Sequence, residues 1–415
     1  MKTALLLSLA LAGFAPAAMA DGVTFSPETM QGLSISPDGF YVGGSTRISE
    51  PAIWTLGVPY IAYESGELGG INAMANNGTG CGSTDSNLPF TYSATVAEAD
   101  AFQILDVPDN EEGTAWAISA DGTIAVGCTW DTDTYRKIPC YWTGTERHLL
   151  EFPAEDIPFD TNGASANGIS NDGSIIYGNI DDWMADQIVL WLRNEVTGEY
   201  EFLPLYEGLV DKTGEMPTGE YPYYQLSGCA ISGNGEWLAL DAMPWDSFDT
   251  FPARMNLSTQ EIEIAQLPYN HMGGFLPSAI ADDGTLIGFS NRDTMIGRMG
   301  MVWPAGTTEA TLISDWLPVK EVIQMDDYAN VPCGITPDGR LIEGFYMDDD
   351  GGFLTYVINV PECRAGVAGV DADDADAVEG VYDLSGRRVA DRPFNLGKGV
   401  YIVKKLAGAE KIMVK

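Results

Sequence analysis

Histidine, the commonest general base, occurs only twice in the 415 residues, at His148 and His271. Neither sits in a nucleophile motif. No Gly-x-Ser-x-Gly elbow, His-Glu-x-x-His pair or Gly-rich phosphate loop occurs. Acyl transfer, zinc hydrolysis and phosphoryl transfer therefore lack their usual sequence signatures, and no catalytic residue is nominated. Carboxylates are abundant instead, with 60 Asp and Glu against 21 Lys and Arg and a net charge of −39. Two facing carboxyls are the machinery of glycoside hydrolysis, but with so many acids a pair at the right separation arises by chance. A surface this negative repels polyanions, so nucleic acid and anionic membranes are excluded as partners.

Acids and aromatics also occur mixed together. The segments are Trp130-Asp131-Thr132-Asp133-Thr134-Tyr135, Asp181-Asp182-Trp183, Trp245-Asp246-Ser247-Phe248-Asp249 and Phe345-Tyr346-Met347-Asp348-Asp349-Asp350. Aromatic rings beside carboxylates suit stacking on a sugar and hydrogen bonding to its hydroxyls, or capture of a cationic peptide. The candidate ligand-binding residues are Trp130, Asp131, Asp133, Tyr135, Asp182, Trp183, Trp245, Asp246 and Tyr346. No metal site is assigned. Calcium is the one cofactor that Asp131 with Asp133, or Asp348 to Asp350, would admit, although neither run has the regular ligand spacing of a calcium loop.

The elements that must position these residues are written in a repeat. Seven segments share a small residue, an aliphatic one (Met74 once), a small residue, any residue, Asp or Asn, then Gly. Ser34-Ile35-Ser36-Pro37-Asp38-Gly39, Ala117-Ile118-Ser119-Ala120-Asp121-Gly122 and Gly334-Ile335-Thr336-Pro337-Asp338-Gly339 are three of them. The final glycines, at 39, 78, 122, 173, 235, 284 and 339, recur at a period near 50, which marks a repeat architecture. Strand-like runs flank each turn, so each copy reads as a hairpin. Pro37 and Pro337 fix φ near −65° at the second turn position, which excludes a type I′ turn and fits type I with a left-handed Gly after it.

A residue five before that Gly that is always small points to an inner strand crowded at an axis. Later strands carry large residues (Trp54, Trp142, Trp191, Trp303, with Met255 and Tyr356 in similar places and none evident in the second copy) expected to pack between neighbouring sheets. Four strands per copy predict an all-β fold, a seven-bladed β-propeller. The Asp-Gly turns then lie on one face, and the mixed acidic and aromatic loops gather on the other. Of six cysteines, Cys128 and Cys140 are placed to bridge two strands of one blade, whereas Cys229 and Cys333 hold equivalent positions in different blades and are expected to be free core residues.

Residues 32–60 (Gly32-Leu33-Ser34-Ile35-Ser36-Pro37-Asp38-Gly39, Val42-Gly43-Gly44-Ser45, Ala52-Ile53-Trp54-Thr55) resemble the HAF-type extracellular repeat. The resemblance extends over most of 21–360 and implies a propeller in an extracytoplasmic setting; it carries no catalytic residue. Residues 1–20 read as a signal peptide, with Lys2, an apolar run from Leu5 to Leu11 and Ala18-Met19-Ala20 as the cleavage site. No later segment is long and apolar enough to span a membrane. The propeller is assigned to 21–362, an acidic linker to 363–377 and a tail to 378–415. The tail carries eight basic and four acidic residues, against 12 and 56 in 21–377, which marks a separate module. Its stretches Val381-Tyr382-Asp383-Leu384-Ser385-Gly386-Arg387-Arg388-Val389, Lys398-Gly399-Val400-Tyr401-Ile402-Val403-Lys404 and Lys411-Ile412-Met413-Val414-Lys415 resemble the end of the type IX secretion (Por-type) C-terminal sorting domain of Bacteroidetes. That likeness implies a small β-sandwich-like or hairpin tail read by secretion machinery, in a secreted or cell-surface protein. Only about 38 residues match, roughly half such a domain, so periplasmic retention is the alternative.

The function expected is that of an exported, non-catalytic propeller binding a glycan or peptide on the face opposite the Asp-Gly turns. The alternatives are an extracellular polysaccharide hydrolase using paired carboxylates, and a structural cell-surface component.

Overall fold

The computed structural model describes residues 22–58, 61–62, 67–96, 98–153, 161–182, 187–205, 223–244, 250–267, 275–291, 298–317, 321–322, 330–347, 352–361, 378–383, 388–390, 399–405 and 408–414. It divides into two compact units, residues 1–366 and 367–415. The signal-like segment, the acidic linker, His271, Trp183, Trp245, Asp246 and Asp348 to Asp350 lie outside the described residues, as does the side chain of Asp182.

The larger unit is a β-propeller. Among its described residues the strands pair as seven consecutive four-stranded antiparallel units. In the third, Glu111–Ile118 pairs with Ile124–Asp131, then Lys137–Thr143, then Glu146–Leu149. The seventh takes its three inner strands from Asn330–Ile335, Leu341–Met347 and Phe353–Asn359, and its outermost from the other end of the chain, Val23–Phe25, in the register Val23 to Ile358 and Phe25 to Tyr356. The last unit is thus built from both ends of the chain, which closes the ring of units.

Seven hydrophobic clusters hold the ring together, each joining one unit to the preceding one. Each contains one anchor from a third strand, opposite the residue that pairs with the repeat's aliphatic position. The anchors are Trp54, Tyr92, Trp142, Trp191, Met255, Trp303 and Ile358. The four tryptophans are at most 2% exposed, as their packing role requires. Two assignments change. The second unit does have an anchor, Tyr92, facing Gly80. The seventh unit's is Ile358, facing Ile342, rather than Tyr356. Unequal loops between second and third strands shift these residues in sequence but not in register.

The turns follow the backbone chemistry expected of Ser-x-Asp-Gly. In the third unit the Gly122 amide donates to the Ser119 carbonyl at 2.9 Å, and Gly122 has φ +76°. The Ser119 hydroxyl donates to Asp121 Oδ1 at 2.7 Å and accepts from the Ile124 amide at 3.1 Å. Burial works against ionisation of Asp121, but hydrogen bonds from Ser119 and Thr123 outweigh it and hold the carboxyl below its usual range. The acids of these turns thus serve the backbone.

The smaller unit, described by itself, is one antiparallel sheet of Val378–Asp383, Arg388–Ala390, Gly399–Lys405 and Gly408–Val414, with the second strand at one edge and the fourth at the other.

Candidate functional site

The seven inner strands converge on a cavity of about 330 Å³. Its construction repeats around the axis. Every inner strand carries a two-against-one β-bulge at the same register, one residue before the always-small position. A bulge re-aims a side chain that regular alternation would send elsewhere. The bulged residues, in ring order, are Leu33, Asn72, Trp116, Asn167, Cys229, Ser278 and Cys333, and all seven line the cavity. Beneath them the always-small residues, Ser34, Ala73, Ala117, Gly168, Ala230, Ala279 and Gly334, also line it. This is the crowding that keeps the position small.

The turns narrow the cavity at one end. Asn76 donates its amide to the Ala120 carbonyl, Ala120 to Asn171, and Asn171 to Gly233, all within 3.0 Å, and Asp282 donates to Pro337. Asn76 Oδ1 and Asp282 Oδ1 accept from the Asp38 and Asn234 amides, each at 2.8 Å. A Cβ placed on Gly233 would meet Asn171 Nδ2 at 2.3 Å and Pro337 at 2.9 Å, so the ring of turns is tight.

Among the described lining residues none is Asp, Glu, His, Lys or Arg. The hydrolase alternative requires two facing carboxylates at the axis, and the described lining supplies no such pair. Desolvation pushes the Tyr177 hydroxyl and the Cys333 thiol up, so both stay neutral. Trp116 is 42% exposed, although it is one of the largest apolar side chains of the inner strands.

The cysteine expectations need revision. Cys128 pairs with Pro139 and Cys140 with Gly127, so alternation sends the two side chains to opposite faces. Both are buried free thiols. Cys229 and Cys333 are half-buried and line the cavity wall, and Cys229 also packs against the core cluster around Phe275 and Trp303.

Four of the candidate loop residues fall together at the end of the third unit's second strand. Trp130 is half-buried and donates from Nε1 to Glu112 Oε2 at 3.3 Å. Asp131 accepts from the Thr134 amide at 2.8 Å, the Asp133 amide at 3.1 Å and Asn110 Nδ2 at 3.0 Å. The bonds from Thr134 are the largest reason its carboxyl lies below the usual range. Asp133 is exposed. Tyr135 is 66% exposed and held at φ +58°. Tyr346 is half-buried in another unit, its ring edge-on to Phe25 at 6.0 Å. Asp182 ends its strand, with its backbone opposite Thr161.

Asn110 and Thr132 tie the crossover entering the third unit to the loop after its second strand, so these two connections share a face. His148 stacks on Tyr141 at 4.8 Å, and its Nε2 bonds the Thr143 hydroxyl, a packing role. Among the described residues no group of three or more potential metal ligands is assembled, and no helix is long and apolar enough to cross a membrane.

The residues that sequence reasoning missed are Asn72, Trp116 and Asn167. The signal was faint: the position six before the Gly varies in size and polarity, but so does the one two residues earlier (Gln31, Gly70, Thr114, Leu276), and only the following position is always small. Only the bulge reveals that the position six before the Gly faces the axis.

No family model matches the chain, and no curated protein sequence does. Among solved structures it is similar to the oligogalacturonate lyase of Vibrio parahaemolyticus, 13% identical with a TM-score of 0.50 over 82% of this chain and 92% of that one. It is more distantly similar to TolB of Acinetobacter baumannii, 10% identical with a TM-score of 0.40 over 82% and 65% of the two chains. A third similarity is to prolyl oligopeptidase B of Galerina marginata, 12% identical with a TM-score of 0.49 over 93% and 55%. The likeness to the lyase supports the β-propeller fold and transfers none of the lyase's chemistry.

Proposed function

We propose that this chain is an exported seven-bladed propeller that binds a glycan or peptide without catalysis, around the axial mouth on the face opposite the Asp-Gly turns. One observation carries the reading. The ring of turns narrows one end of the axis, and beyond it lies a ligand-sized cavity whose described lining is uncharged and includes an exposed tryptophan. Ligand sites are concave, with a few polar groups set among apolar ones. Exposed Tyr135 and the half-buried Trp130 place further aromatic surface at the end of the third unit's second strand. The signal-like residues 1–20 and the basic tail 378–415, with its resemblance to a type IX sorting domain, support export and recognition by secretion machinery. In the same reading, the HAF-type resemblance supports an extracytoplasmic setting for the propeller.

The test is a glycan array and an immobilised peptide library, each probed with the mature full-length chain. Retention on a defined subset of either, competed by the free ligand, is the expected result. Blank outcomes on both would sink the reading and leave the structural cell-surface role.

A further inference from the structure

We infer that the axial cavity is a subsite for one neutral sugar ring, the terminal residue of an uncharged glycan entering end-on, with Trp116 as the stacking platform and Asn72 and Asn167 as its hydrogen-bonding flanks. The inference deepens the ligand-binding reading above and rests on it.

The arc is contiguous. Asn72, Trp116 and Asn167 are the bulged residues of the second, third and fourth units. Trp116 belongs to none of the ring's hydrophobic clusters and leaves 42% of its surface exposed where it lines the cavity. An indole face carries negative quadrupole charge, which complements the outward C–H groups of a pyranose.

The two carboxamides are partly committed, in complementary ways. Asn72 Nδ2 donates to the Ala115 carbonyl at 2.9 Å, which anchors the side chain and leaves Oδ1 to accept. Asn167 Oδ1 accepts from the Ser165 hydroxyl at 2.5 Å, which leaves its two N–H groups to donate. Each amide offers a carbonyl and two donors. The arc therefore presents an aromatic face with an acceptor on one side and donors on the other. Sugar hydroxyls both donate and accept, and match it.

Charge and size narrow the ligand. The described lining holds no cation for a uronate or sulfate, and the chain's net charge of −39 repels both. It also holds no carboxylate to receive a lysine or arginine side chain. A volume of 330 Å³ lies at the low end of the roughly 300–1,000 Å³ typical of ligand pockets. That accommodates a ring end, while an extended chain would have to lie outside.

The test is titration of the mature full-length chain with neutral trisaccharides (glucose-, mannose- and galactose-based), a galacturonate trisaccharide and a set of basic and neutral peptides, read by tryptophan fluorescence and calorimetry. At least one neutral trisaccharide should bind and the galacturonate should not. Trp116→Ser places at this position a residue that the sixth unit already carries as Ser278. It should weaken binding by about tenfold or more, the loss of one aromatic contact with its buried area. Trp116→Leu, the first unit's residue, should do the same and guards against a folding artefact. Asn72→Ala and Asn167→Ala should each weaken binding several-fold, and Val196→Ser, on a far exposed loop, should leave it unchanged.

Neutral-glycan binding that survives both Trp116 variants, or binding of peptides or galacturonate alone, would overturn this subsite while leaving the broader reading intact. Absence of binding to every probe would overturn both.

Discussion

Glu343 is fully buried, and neither of its carboxyl oxygens has a hydrogen-bond partner among the described residues. Desolvation raises its pKa well above the ordinary value. It pairs across the hairpin with Gly334, at a position where the other units carry Gly43, Cys81, Val126, Tyr177, Ala239 and Ile287. A carboxyl whose pKa is raised on folding keeps a proton that the unfolded chain releases. Stability is therefore greatest below the unfolded pKa and falls as pH rises toward the folded one. Glu343→Gln keeps the shape and removes the titration. Its melting temperature should lose the Glu343 part of the decline above about pH 4.5, and the variant should exceed the native protein at pH 8. Glu343→Met removes the unsatisfied polar group as well and should add about 1–3 kcal/mol at neutral pH. Thermal scans of the three proteins across pH 4–8 check this, and parallel pH curves would show that the carboxyl is not the titrating group.

At the scale of the element, the small position of each inner strand and its cross-strand partner are chosen together. The two units with a long side chain at the partner position, Tyr177 and Glu343, are the two with Gly rather than Ala or Ser opposite, at Gly168 and Gly334. Each also faces a glycine in the next unit's inner strand. A Cβ on Gly168 would stand 2.1 Å from Tyr177 Cε1, one on Gly228 2.8 Å from Cδ2, and one on Gly32 2.2 Å from Glu343 Oε1. Gly168→Ala should therefore destabilise by about 1–3 kcal/mol, the usual range for overpacking. Combining it with Tyr177→Val recreates the third unit's Ala117 and Val126. The double variant should be more stable than the sum of the single effects by about 1 kcal/mol or more; strict additivity in denaturant unfolding would refute the pairing.

Such pairings also show where the sequence stops being informative. The turn type, the small position and the buried tryptophans could be read from residue types alone, because each is forced by local backbone or packing chemistry. Tyr92 and Ile358 were missed as anchors because register, rather than spacing, defines them. The axial triad was missed because a bulge is invisible until two strands are paired. The loop residues Asp131 and Tyr346 were selected for composition. In the structure Asp131 holds its own turn and Tyr346 packs on Phe25, functions that an acidic, aromatic composition does not distinguish from ligand contact.

For the whole propeller the decisive feature is closure. The chain begins its described structure by completing the last unit, with Val23–Phe25 paired to Phe353–Asn359 and the Ser26 amide donating to the Thr355 carbonyl at 2.9 Å. Thr355 in turn accepts the Gly32 amide and donates to the Met30 carbonyl, both at 2.7 Å. These bonds join units one and seven, whose shared cluster around Trp54 and Val357 draws on both ends of the chain, as does the cluster around Ile358 against which Val23 packs. Deleting residues 22–25 removes one outer strand and uncovers the edge carrying Tyr356, Val357 and Ile358. Propeller units contact mainly their neighbours, so stability lost at one joint is not recovered elsewhere in the ring. The truncated protein should melt several degrees lower. Its bare edge should also pair with copies of itself, seen in light scattering as a larger mass than that of the intact chain. A synthetic peptide of residues 22–29, added in excess, should restore the intact chain's mass by refilling the edge. A truncated protein with unchanged assembly and melting temperature would mean that the ring is held by its interunit clusters alone.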